Sequence, residues 1–268
     1  MRRPCLLSLL LLLTVGAFPQ SAPSAAPFTP QDEQEIVRLV NAERQSRGLA
    51  TLVLDERLRE AARKHSARMA YTGEVEHRLA GEPDLSLRLD EQGLRFDVSG
   101  ENVALDSDAV RAHTALMHSP GHRANILDPK FNSIGIGVVS TPRGLYITQD
   151  FAHRLPRASV EDAEEQVALN LNRMRRAAGA PTLNRLSAPD LRRRACAMAA
   201  NDKLDPHAAL SPKVSRSVVF TAIDLTQIPQ SLDRLKTSPA SAFSVGACYQ
   251  SSASYETPVF WIVVATYF

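Results

Sequence analysis

The side chains in this sequence with the strongest chemical potential are imidazoles, and two of the seven fall in one stretch. That stretch is His118-Ser119-Pro120-Gly121-His122-Arg123-Ala124-Asn125-Ile126-Leu127, followed by Phe131 to Val139. Ser119 is a residue type that accepts from the orphan N–H groups of a helix start, and Pro120 fits the first helical position. The spacing predicts His122 in the first turn of a short helix that feeds a strand. A histidine held there can ligate a metal, shuttle a proton or pack. His65 instead falls among Leu58, Ala61, Ala62 and Met69 at helical spacing and reads as a packed, hydrogen-bonded core histidine. No G-x-S-x-G, no H-E-x-x-H and no cysteine with an obvious basic partner is present.

The chain of 268 residues is long enough for one or two domains, each with its own core. A formal net charge of +2 argues against an electrostatic footprint for nucleic acid. Met1-Arg2-Arg3, the apolar run from Leu6 and the small residues Val15-Gly16-Ala17 read as a signal peptide over 1–17, with cleavage as late as Ala26 as the alternative. The run is too short to span a bilayer, so no transmembrane segment is expected in the mature chain. Residues 18–30, rich in Ser, Ala and Pro, read as a disordered lead-in. The reading is an exported protein, secreted or periplasmic. Cys196 and Cys248 remain after processing; one disulfide between them suits that compartment, and two buried free thiols suit the residue type.

The elements that must position His122 follow from periodicity. Asp32 to Arg47 reads as a helix stopped by Gly48, and Asp55 caps a second helix ending near Thr72-Gly73. A short helix ends at Gly93, Ser99-Gly100 turns into an apolar segment, and Ala109 to Met117 is helical. Ile134, Ile136 and Val138 alternate with Gly135 and Gly137, the period of a strand with one bare face. Thr141-Pro142-Arg143-Gly144 then turns the chain into a hairpin partner, Leu145 to Phe151.

This order of blocks has a counterpart. Val75-Glu76-His77, then Gly100-Glu101-Asn102-Val103-Ala104, then the SPGHRANIL stretch, Ile134 to Val138 and Tyr146 to Phe151 resemble the bacterial branch of the CAP superfamily (cysteine-rich secretory proteins, antigen 5 and pathogenesis-related proteins; the SCP domain). The resemblance covers Thr29 to His153. It implies an α+β fold, a three-layer α-β-α sandwich over 31–153, and secretion. It also implies a cleft of two His and two acidic residues able in some members to hold a divalent metal. On that basis His77 is the first His, Glu101 the first acid and His122 the second His, a set with an open position suited to zinc or another divalent cation. The second acid is missing near Met117-His118-Ser119, and Leu116 stands where many members carry Trp. His118 is expected in solvent.

Residues 160–268 read as a degenerate second CAP-like α+β domain. Val167 to Gly179 lies on Ile36 to Gly48, with Asn172 over Asn41, and Leu183 falls over Leu52. After a two-residue insertion Leu191 and Ala195 fall over Leu58 and Ala62, and Ser244 to Cys248 echoes Ser133 to Gly137. No GENVA and no GHRANIL block recurs, and His207 near the first His position is chance or a relic. The alternative is an unrelated domain whose helix pair matches by composition. Function then reduces to three readings. One is a non-catalytic cleft for a divalent metal, small ligand, lipid or peptide. The second is a hydrolase using His77, Glu101 and His122 on a metal-bound water. The third is a cell-envelope interaction protein. The missing catalytic signatures favour the first over an enzyme.

Overall fold

The computed structural model describes residues 28–207, 213–227 and 229–268. The expected leader and most of the lead-in fall outside the described residues. The end of the lead-in is part of the fold: Phe28 bridges Val139, the Thr29 N–H donates to the Val138 carbonyl, and Pro30 opens the first helix.

In the first half, helix α1 (Pro30–Gln45) is followed by strand β1 (Val53–Leu54), α2 (Glu56–Thr72) and α3 (Leu85–Glu91). Strand β2 (Phe96–Asp106), helices α4 (Ala109–His118) and α5 (Pro120–Leu127), and the hairpin β3 (Ser133–Thr141) and β4 (Gly144–Arg154) complete it. The Asp55 carboxylate accepts from the Arg57 and Leu58 N–H groups to start α2, and Gly73 in the left-handed region ends it. The sheet order is β1-β3-β4-β2, with β1 parallel to β3 and the other pairs antiparallel. Helices α1, α4 and α5 cover one face through Ile36, Val40, Leu116 and Ile126, packed on Ile134, Ile136, Ile147 and Phe151. Helices α2 and α3 cover the other, through Leu58, Ala61 and Leu89. These three layers are the expected sandwich.

The bare face of β3 is where α2 lies. A Cβ at Gly135 would come within 2.1 Å of the Leu58 carbonyl carbon, and one at Gly137 within 2.4 Å of that of Ala62. Two expectations change. Ser99-Gly100 is not a turn but the middle of β2; Gly100 is there because a side chain would collide with Phe131 and Asn125. Ser119 occupies the start of α5, yet its hydroxyl makes no capping bond, because the same residue also closes α4.

The second half runs α6 (Val160–Ala177), β5 (Asn184–Arg185), α7 (Pro189–Ala200), β6 (Val214–Ala222), β7 (Ala242–Ser252) and β8 (Tyr255–Tyr267). Its sheet order, β5-β7-β8-β6, has the same parallel and antiparallel pairs. A single 3-10 turn, Gln230–Leu235, stands where α4 and α5 would be. The local anchors also recur. Asn41 clasps the N–H and carbonyl of Leu52, and Asn172 clasps those of Leu183, each eleven residues on. Buried Arg44 donates to the carbonyls of Ala50, Ile126 and Asp128, and buried Arg175 to those of Pro181, Leu235 and Ser238. Leu191 presses on Gly246 as Leu58 does on Gly135. Relative to the asparagine clasp, α7 and Gly246 have both advanced two residues. A slip of two keeps every side chain on its own face, so the packing survives it.

Cys196 on α7 and Cys248 on β7 form a disulfide, with a Cα separation of 5.1 Å. It spans the helix-to-sheet gap that Gly137 keeps open beside Ala62 and Arg63 in the first half. Arg63 there pairs with buried Glu33; in the second half Arg192, one turn earlier than Cys196, pairs with buried Glu164. Arg95, just before β2, joins the halves by donating to the Pro156 and Ile223 carbonyls and lying over the Tyr249 and Phe260 rings.

Candidate functional site

β2 is the outer strand of its sheet, so groups from both helical layers can meet around its free edge. His77 comes from the segment joining α2 to α3, Glu101 from β2, and His122 from the first turn of α5. Helix α5 is tied to β2 by amides. Asn102 Nδ2 donates to the His122 carbonyl at 3.1 Å and to Gln149 Oε1 at 3.0 Å. Asn125 Nδ2 donates to the Glu101 carbonyl at 3.0 Å and to Asn102 Oδ1 at 2.9 Å.

The structure brings His77 and Glu101 into direct contact: His77 Nδ1 lies 2.9 Å from Glu101 Oε1. The rings of His77 and His122 stand 6.3 Å apart, centre to centre. Glu101 Oε2 is taken by a residue the sequence reading did not single out, Arg88 on α3, whose Nη2 donates to it at 2.6 Å. The Glu101 carboxylate is therefore committed on both oxygens. Among the described residues, no three His, Cys, Asp or Glu side chains are placed to hold one metal ion. His118 is exposed and bonds the Thr114 carbonyl, as expected of a solvent histidine. His65 is fully buried and hydrogen-bonded, as expected, but it also lies 3.8 Å from Glu101.

Charge follows this wiring. The hydrogen bond to Glu101 raises the His77 pKa above its ordinary value, against the opposing effect of partial burial. Burial by itself would raise the Glu101 carboxyl; the His77 hydrogen bond and the Arg88 charge outweigh it and hold Glu101 low. Burial and the neighbouring His77 charge lower the His122 pKa. Behind Glu101 lies Asp150, its cross-strand neighbour on β4, wholly enclosed. Neither Asp150 oxygen meets a hydrogen-bond partner among the described residues, and burial with the Glu101 charge pushes its pKa well up. Such a carboxyl keeps its proton. The signals for these missed residues were faint: one Arg inside the apolar helix LSLRL, and an acid within the strand run YITQDF.

Two histidines and an acid thus gather at the free edge of β2 on a three-layer α-β-α sandwich. Residues 37–151 match the model of the cysteine-rich secretory protein family, CAP, the family whose blocks the first half resembles. The uncharacterized protein YkwD of Bacillus subtilis (strain 168) is 36% identical over 132 residues, covering 49% of each chain. The uncharacterized membrane protein YlbC of the same organism is 32% identical over 123 residues, 46% of this chain and 34% of that one. The chain thus spans about half or less of the length of these curated relatives. An extracellular protein containing a SCP domain from Bacillus anthracis str. Ames is 31% identical over 46% of this chain and 40% of its own, with a TM-score of 0.43. Na-ASP-1 is 7% identical over 92% of this chain and 91% of its own, with a TM-score of 0.45. No described helix is long and apolar enough to cross a membrane.

Proposed function

We propose that the first half is an exported binding module whose cleft takes a divalent cation of the zinc type between His77 and His122, without chemistry of its own. The observation that carries this reading is the 2.9 Å bond from His77 Nδ1 to Glu101. A carboxylate on one ring nitrogen is the usual way a ligating histidine is oriented, leaving Nε2 to face the metal. The donor set fits such a cation only in part. Two imidazoles supply ligands; Glu101, held by Arg88, orients rather than ligates. Two imidazoles alone would hold such a cation weakly by the standard of three-ligand sites. When bound, the cation supplies a Lewis-acid point for a carboxylate, phosphate or carbonyl of a guest. Glu101, the carboxylate bonded to His77, is committed on both oxygens, to His77 and to Arg88, which favours binding over hydrolysis.

Calorimetric titration of zinc into the mature protein tests the reading. Binding should weaken on the order of 100-fold in His77→Ala and in His122→Ala, and roughly 10- to 100-fold in Glu101→Gln. Equal affinity in the wild type and both histidine variants sinks it. Export is tested by fractionating cells and sequencing the N-terminus of the product, with cleavage after Ala17 expected.

The second half is proposed to be a duplicated copy that kept the fold and lost the cleft. The recurring asparagine and arginine clasps support that reading, and the loss of α4 and α5 accounts for the absent second histidine.

A further inference from the structure

We infer that His65 and Glu82 are positioning residues for the cleft, a buried pair that fixes the segment carrying His77. This goes beyond the cation reading, since the placement of His77 on Glu101 stands whether or not a cation binds.

The segment between α2 and α3, residues 73–84, contains neither helix nor strand, and His77 within it is exposed. A histidine on an untethered stretch of that kind would sample many positions. Here the backbone on both sides of it is gripped. His65 Nε2 lies 2.9 Å from the Glu76 carbonyl, and Arg88 Nη2 donates to the His77 carbonyl at 3.3 Å. His65 Nδ1 lies 2.9 and 3.0 Å from the two oxygens of Glu82. The Glu76 carbonyl accepts only, so Nε2 of His65 is the donor in that bond. Glu82 in turn accepts the Leu79 N–H on Oε2 at 3.3 Å, and its carbonyl takes Arg78 Nε at 3.1 Å. Leu79 is buried and nails down the same bend.

His65 is 0% exposed and Glu82 4% exposed, so the pair touches nothing outside the molecule. Its contacts run to the His77 segment on one side and toward Glu101 on the other. In the second half the positions of α7 that match His65 and Ser66 are Met198 and Ala199, packed in hydrocarbon. A helix of this fold therefore does not need the imidazole for its own packing.

The test uses the mature full chain carrying His65→Met with Glu82→Gln, a pairing that leaves no orphan charge behind. Long-range proton–nitrogen NMR of the histidine rings, without metal, reads the His77 tautomer and its Nδ1 hydrogen bond. Trypsin cleavage after Arg78 reads the opening of the segment. The expected result is a folded protein in which His77 loses its fixed Nδ1–H signature. Cleavage at Arg78 should quicken roughly tenfold, as expected for losing one buried hydrogen-bonded pair, and zinc affinity should fall about tenfold. If the double variant does not fold, Glu82→Gln alone, near-isosteric, carries the same two readouts. A folded variant with His77 signals and Arg78 cleavage unchanged overturns the proposal. Absence of zinc binding in every form, with the NMR change present, overturns only the cation reading.

Discussion

The helix-facing side of the sheet differs sharply between the halves. Beneath α2 it is polar: Ser66 donates to Thr148 at 2.8 Å, and His65, Glu101 and Asp150 lie buried beside them. Beneath α7 it is hydrocarbon, built from Met198, Ala199, Val263 and Ala265 with Trp261. One architecture thus accommodates both fillings because its anchors sit elsewhere, in the Asn and Arg clasps and the Leu-on-Gly contacts. A buried polar layer costs desolvation and is stable only when its groups are paired. The half that brings His77 and Glu101 together carries that cost, and the other half has a disulfide instead.

The largest test of this comparison is the disulfide. Replacing Cys196 and Cys248 by Ala should destabilise the second half by about 4 kcal/mol, given a loop of 52 residues, and leave the first unchanged. Trp261 is the only tryptophan in the chain, so its fluorescence reports the second half's unfolding alone. Next in size, Gly135→Ala and Gly246→Ala should each cost about 3 kcal/mol in their own half. The added methyl would meet backbone of Leu58 or Leu191 at 2.1 and 2.3 Å. Hydrogen exchange would locate the damage; a loss spread over both halves would contradict independent cores.

Asn41→Ala and Asn172→Ala should each cost about 2 kcal/mol, for two backbone hydrogen bonds apiece, and agree closely with one another. Clearly unequal costs in urea melts would count against a shared clasp. The smallest effect concerns Asp150. Its folded pKa lies above the ordinary 3.8, so between 3.8 and that raised value the folded state holds more protons than the unfolded one. Stability of the first half therefore falls as pH rises through that window. Asp150→Asn should flatten this slope, measured as melting temperature against pH. The second half, with Val263 and Ala265 in the matching stretch of β8, should show no corresponding slope.

The sequence made the frame legible wherever a residue type has one job. Asp55 capping α2, the glycine face of β3 and the match of Asn172 to Asn41 could all be read directly. β2 was harder to see because Gly100, which usually marks a turn, serves there as clearance for Phe131 and Asn125. His77 and Glu101 were found as a pair through the family blocks, since 24 residues separate them and only the fold closes the gap. Arg88, Asp150 and Glu82, the partner of the expected core histidine His65, carry no such mark in the sequence, for a different reason. Buried charges are recognised by their partners, and those partners come from different elements.

Arg95 stands one residue ahead of β2, the strand that carries Glu101, while its guanidinium reaches across to the second half. A load on residues 160–268 would reach the root of β2 through this guanidinium as well as through the connecting chain.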